Sequence, residues 1–239
     1  PKSLPFFNLR YLNRIALIKY NNEIVKLARK IKPHIFFSNT TKLLYRSTIA
    51  KLKTLGVITV CWWQDLPQLY PQWRNYIYIF DFFFTFIPNH DLRFLGKKLS
   101  NVYYLPLAAS SNFTPRQNKN FKNDICFVGT YYKQREKALK RLTNLDAKLI
   151  IYGGQVWRKS DLALFYAGKP VFDEELLIVY RDSKIGLNLH QDYGLSSRIE
   201  LGVNFRTFEI PASGAMQIVD YKEEIEQFFQ PEKEVVCFH

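Results

Sequence analysis

The feature that most constrains this chain is a rhythm that runs through it twice. In the first half the short apolar runs "PHIFFS", "VITVCWW", "DFFFTFI" and "VYYLPL" alternate with helix-patterned stretches. Those stretches are "LRYLNRIALIKYNNEIVKLARKI", "TKLLYRSTIAKLKTLG" and "HDLRFLGKKL". Strand-length apolar segments joined by helices long enough to cross over form a parallel sheet. The rhythm then restarts with "DICFVGTYY", "AKLIIYGG", "KIGLNLH" and "AMQIVD", spaced by helix patterns in "KQREKALKRLTNL" and "DEELLIVYRDS"; "EEIEQFF" and "EVVCF" close the chain.

Between the halves, "PLAASSNFTPRQNKNFKN" is polar and carries two prolines, which marks an interdomain linker. The expected domains are 1–113 and 114–239. Two successive α/β units bind ligands at the carboxyl ends of their strands, so the cleft between them is the expected site.

Charge separates the halves further. Residues 1–116 hold 17 Lys and Arg against 4 Asp and Glu, whereas residues 117–239 hold 17 of each, so the whole net charge of +13 lies in the first half. A basic domain beside a neutral one suits an anionic partner for the first, such as a membrane surface or a phosphorylated acceptor. No recognisable nucleic-acid-binding module accompanies the charge, so no nucleic-acid partner is expected.

Cys61, Cys126 and Cys237 each sit in an apolar run with no CxxC pair and no clustered His ligands. They read as reduced core thiols, which favours a cytoplasmic protein, peripheral to the membrane at most, and argues against a zinc site. The stretch "YIYIFDFFFTFI" is too short to span a bilayer and carries Asp81, so no transmembrane segment is expected. The chain begins at Pro1 and stops directly after a strand pattern, and it reads as cropped at both ends.

Several residues could carry chemistry. Gly129 and Thr130 follow a strand and precede a helix, where a glycine lets backbone approach a phosphate; any strand-to-helix turn also tends to need one. Gly153 and Gly154 close the next strand, with Tyr152 and Trp157 as stacking surfaces for a base or, more simply, as core aromatics around a turn. His190 ends "KIGLNLH" and reads either as a donor to a phosphate or sugar hydroxyl or as a loop brace. The polar loop "QDYGLSSRIELGV" that follows resembles a ligand lid. Asp65, leaving a strand beside two tryptophans, is a candidate general base or an ordinary turn opener. In "NFRTFEIPASGAMQIVD", Asn204 is a good N-cap, Gly214 ends the helix, and Arg206 and Glu209 share a face. They either pair with each other or both point at a third group.

Taken in order, "WWQDLP", "YYLPLA", "DICFVGTYYKQREKALKRL", "SKIGLNLH", "FRTFEIPASGAMQIVDYKEEIEQFF" and "EVVCF" resemble the glycosyltransferase family that includes the spore-maturation-protein-like enzymes. The resemblance implies an α/β chain of the GT-B class, two Rossmann-like domains facing across a cleft, with a nucleotide-sugar donor held mainly by the second. Carried over, Glu209 matches the acidic residue on the donor ribose, and Arg206 lies where a cation meets the diphosphate. Gly129 and Thr130 match the loop near the phosphates, Arg135 belongs to the same segment, and Asn204 and Thr207 complete the donor-binding set. Asp65 or His190 would activate the acceptor hydroxyl.

The implied reaction is sugar transfer to an acceptor hydroxyl without metal or cofactor, since no DxD motif appears and side chains can stabilise the departing diphosphate. The residue eight before Glu209 is Leu201, with Glu200 beside it, so the paired glutamates of many retaining enzymes are not reproduced. Neither stereochemistry is assigned. The alternatives are a nucleotide-sugar epimerase or hydrolase on the same fold, and a non-enzymatic basic nucleic-acid-binding protein.

Overall fold

The computed structural model describes residues 6–64, 74–88, 100–115, 120–190 and 202–239, with the side chains of the first helix described from Arg14 onward. The chain divides into two compact units, Pro1–Pro106 and Leu107–His239. Each is built on one parallel sheet.

In the first unit the elements run α1 (Phe6–Ile31), β1 (Ile35–Ser38), α2 (Arg46–Thr54), β2 (Ile58–Trp63), β3 (Phe82–Thr85) and β4 (Val102–Tyr104). The strands lie side by side in chain order, all parallel. Helix α2 starts later than the sequence pattern suggests, because Tyr45 is extended, and it buries Thr48, Ile49 and Leu52 along one face. Asn21 ties the long basic α1 to it. The buried carboxamide donates to the Leu17 and Leu43 carbonyls and accepts from the Tyr45 amide and the Thr48 hydroxyl, so all its polar capacity is used.

One face of this sheet is closed by Cys61, Trp63, Phe83 and Val102, whereas Ile35, Phe37, Ile58, Phe82 and Tyr103 on the other remain exposed. Asp81 accepts from the amide and hydroxyl of Thr59, each at 2.8 Å, and pairs with Lys53. Burial works against its charge, but these partners hold the carboxyl below its usual value. The Asp inside the apolar run is thus a strand anchor.

The second unit contains β5 (Asn123–Val128), α3 (Lys133–Lys140), β6 (Leu149–Tyr152), α4 (Asp173–Arg181), β7 (Ser183–Asn188), α5 (Arg206–Ala212), β8 (Met216–Asp220) and β9 (Val236–Phe238). Short 3-10 turns occupy 141–144, 155–159, 163–165 and 223–227. The strand order is β6-β5-β7-β8-β9, every pair parallel. Strand β5 has β6 on one side and β7 on the other, so the winding reverses between β5 and β7. In open α/β sheets ligands bind outside the carboxyl ends of the strands at such a reversal.

One core layer joins Phe127, Leu139, Ile151 and Trp157; the other joins Cys126, Val128, Val179, Tyr180 and Ile210. Cys61 and Cys126 are free and buried, and burial pushes both thiols up to about 12, which fits inert core cysteines. No helix among the described residues is long and apolar enough to cross a membrane.

Candidate functional site

Helix α5 approaches the sheet because Gly186 on β7 makes room. A Cβ there would lie 2.5 Å from Ile210 Cγ2. The helix is only seven residues long and contains Pro211. Lacking an N–H, Pro211 leaves the Thr207 carbonyl without its helical partner. The fully buried Gln217 supplies the missing donor, its Nε2 lying 3.2 Å from that oxygen. Gly214, with φ +83°, ends the helix as its sequence position implies.

Asn204 stands one residue outside the expected start. Phe205 occupies the cap position, while the Asn204 Oδ1 still accepts from the Thr207 amide at 3.2 Å. A buried polar network continues from it. Asn204 Nδ2 donates to Asn188 Oδ1 at 2.8 Å, and Asn188 Nδ2 donates to Thr207 Oγ1 and Gln217 Oε1. Thr207 is fully buried in this network, which turns its hydroxyl away from direct ligand contact. Asn188 and Gln217 are the residues the sequence reading missed.

The ends of β5 and β7 are tied by Arg135. Its Nη1 donates to the Thr130 carbonyl at 3.0 Å, and its Nε and Nη2 donate to the Leu189 carbonyl at 3.1 and 2.6 Å. The guanidinium also lies over the Tyr132 and Phe127 rings. Arg135 therefore braces the loop that carries Thr130, a different task from meeting a phosphate.

Gly129 donates to the Tyr152 carbonyl and accepts from the Trp157 indole at 2.9 Å. The next turn is closer still: a Cβ on Gly153 would sit 2.2 Å from the Gly129 oxygen. Trp157 is fully buried, so it is core and not a surface for a stacked base, while Thr130 is exposed.

His190 also has an anchoring role. Its amide and Nδ1 both meet Asp220 Oδ1, at 2.7 and 3.0 Å, and Nε2 accepts from the Asn204 amide at 3.4 Å. That acceptance fixes the tautomer with the proton on Nδ1. Both ring nitrogens are occupied, so His190 is not poised as a free base. Burial tends to raise the Asp220 carboxyl, but the His190 contacts outweigh it and hold it below its usual value.

Arg206 and Glu209 answer the question their spacing raises. They form no ion pair with each other. Arg206 Nε donates to the Val128 carbonyl at 2.5 Å, which fixes the side chain at the end of β5, and its terminal nitrogens have no hydrogen-bond partner among the described residues. Glu209 is half-buried, and its carboxylate likewise accepts no hydrogen bond among the described residues. Burial raises its carboxyl above the usual value, Arg206 pulling it down and Asp173 pushing it further up. One cation and one acceptor-only group thus stand side by side at the winding reversal, each with unused capacity.

Asp65 and the loop from 191 to 201, with Glu200 and Leu201, lie outside the described residues. The described residues contain no cluster of His, Cys, Asp or Glu able to hold a metal ion.

Residues 133–239 match the model of a glycosyl transferase-like family. The match begins at α3, so it takes in α5, β7 and β8 of the candidate site but neither β5, whose Val128 carbonyl holds Arg206, nor the Gly129–Thr130 turn. No curated protein matches the chain significantly.

Solved structures match over both units. The UDP-GlcNAc 2-epimerase of Methanocaldococcus jannaschii shares 11% identity over 93% of this chain and 70% of its own, with a TM-score of 0.54. An S. aureus MnaA-UDP co-structure shares 11% over 87% of this chain and 63% of its own, TM-score 0.51. A trehalose-6-phosphate synthase shares 12% over 85% and 63%, TM-score 0.50. The chain spans less than two thirds of the length of the last two. The likeness shows the fold alone: an α/β chain with two Rossmann-like units, of the GT-B class.

Proposed function

We propose that this chain is a glycosyltransferase that moves a sugar from a nucleotide-sugar donor to an acceptor hydroxyl without a metal ion. The observation that carries the reading is the Arg206 guanidinium, whose terminal nitrogens have no partner among the described residues, beside the half-buried Glu209 carboxylate, which likewise has none among them, at the β5–β7 reversal. A nucleoside diphosphate presents what each lacks, anionic oxygens for the cation and a vicinal diol for the carboxylate. The exposed Thr130 and the Gly129 turn adjoin the phosphate end of such a ligand.

Because α5 has only seven residues, stabilisation of the departing diphosphate is assigned to the Arg206 side chain more than to a helix dipole. Asp65 is the remaining candidate for activating the acceptor, and the basic first half is assigned to an anionic acceptor or membrane surface on the cytoplasmic side. Assignment to the spore-maturation-protein-like branch of the fold belongs to this proposal.

A second reading, epimerase or hydrolase, is favoured by one observation: two solved structures matching the chain are a UDP-GlcNAc 2-epimerase and a protein bound to UDP. Product analysis separates the two. The chain is incubated with UDP-sugars in excess chelator, with and without a lipid or saccharide acceptor. Sugar appearing on the acceptor only when acceptor is present supports transfer. An epimerised nucleotide-sugar or free sugar formed equally without acceptor supports the second reading, and activity abolished by chelation overturns the metal-free assignment.

A further inference from the structure

Two polar groups in the second unit have no hydrogen-bond partner among the described residues, one inside a packed layer and the other next to it in the chain. Tyr180, on α4, is fully buried with Cys126, Val128 and Ile210, and its hydroxyl has no hydrogen-bond partner among the described residues. Glu209 immediately precedes Ile210 on α5, and its carboxylate has no hydrogen-bond partner among the described residues. One group is a donor and the other only accepts. A buried hydroxyl without a partner is uncommon, because desolvating it costs free energy that a phenylalanine of nearly the same shape would not incur.

Other acceptors in that layer are committed. The Val128 carbonyl takes Arg206 Nε, and the Val179 carbonyl takes the Ser183 hydroxyl. Burial pushes the Tyr180 phenol up, Arg206 pulls it down, and Cys126 and Glu209 push it up again.

We propose that Tyr180 is a positioning residue for Glu209, its buried hydroxyl donating to the carboxylate when that carboxylate turns to take the ribose hydroxyls of a nucleotide. A carboxylate has about four acceptor positions and a diol fills two, so a third donor from beneath holds the group in one rotamer. Tyr180 touches no ligand itself; it lowers the cost of ordering Glu209. This inference rests on the reading of Glu209 as the ribose ligand.

The test uses the full chain and titrates UDP, GDP and ADP calorimetrically into the wild type, Tyr180→Phe, Glu209→Gln and the double variant. Tyr180→Phe should melt at or above the wild type, yet bind the preferred diphosphate about tenfold more weakly, the loss of one hydrogen bond to a charged group. It should also discriminate less between that nucleotide and its 2′,3′-dideoxy form, and in the double variant it should add nothing to the loss from Glu209→Gln. Wild-type affinity in Tyr180→Phe, with Glu209→Gln weakened, makes Tyr180 a core residue only and leaves the ribose reading standing. Additive losses in the double variant also overturn the coupling. If Glu209→Gln binds as the wild type does, or the wild type binds none of the three nucleotides, the ribose reading fails and this inference falls with it.

Discussion

Gln217 donates to the carbonyl of Thr207 that Pro211, four residues further along α5, is unable to serve. A buried carboxamide thus completes a helix turn that the sequence itself breaks, and the same side chain accepts from Asn188 on the neighbouring strand. Gln217→Leu should destabilise by about 1–3 kcal/mol, the cost of leaving buried partners unsatisfied. Pro211→Ala restores an amide at the broken position, so it should recover part of that loss. Urea midpoints of the two single variants and the double variant check this. Equal and additive costs would mean that Gln217 is not substituting for the missing amide.

Gly186 sets how closely α5 approaches the sheet, with Ile210 Cγ2 only 2.5 Å from where a Cβ would stand. Gly186→Ala should cost about 1–3 kcal/mol through overpacking. Paired with Ile210→Ala, which removes the Cγ2 methyl that the new Cβ would meet, the added cost of Gly186→Ala should fall. Thermal melts of both variants decide it, and an Ala variant as stable as the wild type would show that the layers have slack.

Asp220 is held below its usual carboxylate value by His190, so its contribution has a defined sign. A depressed carboxyl stabilises fully above its unfolded pKa, about 3.9, and loses that contribution as the pH falls through the folded value. Asp220→Asn should therefore cost about 1.5 kcal/mol at neutral pH, the lower end for a hydrogen bond to a charged group, and the gap should close in acid. Stability measured from pH 7 downward tests this. A cost independent of pH would mean that shape, and not charge, matters at Asp220.

How much was legible in the sequence follows from the range of the interactions. The strands of both sheets could be read from local sequence, because a short continuous run of β-branched and aromatic residues shows itself within a few residues. Their lateral order could not, since nothing local to β5 records that β6 and β7 flank it. The site divides the same way. Arg206 and Glu209 announce themselves by their spacing within one turn, whereas Asn188, Thr207 and Gln217 meet across separations that leave no periodic trace. Arg135 and His190 drew attention as polar residues at strand ends, but backbone carbonyls, an amide and Asp220 occupy their nitrogens. Pro211 was the one visible sign that α5 needed outside help.

The measurement that bears most directly on the central claim compares melting temperature and nucleoside diphosphate affinity in Glu209→Gln and the wild type. Burial raises the Glu209 carboxyl, so its charged form is disfavoured in the folded state; the penalty is absent below the unfolded pKa, about 4.3, and grows as the pH rises through the folded value. At pH 7 the glutamine variant should melt higher than the wild type, an advantage that fades in acid, while losing about 1.5–3 kcal/mol of nucleotide binding. A carboxylate that merely complements the start of α5 gives the opposite pattern: a stability loss of about 0.3–1 kcal/mol with affinity unchanged. That second result would contradict the assignment of Arg206 and Glu209 as the donor site.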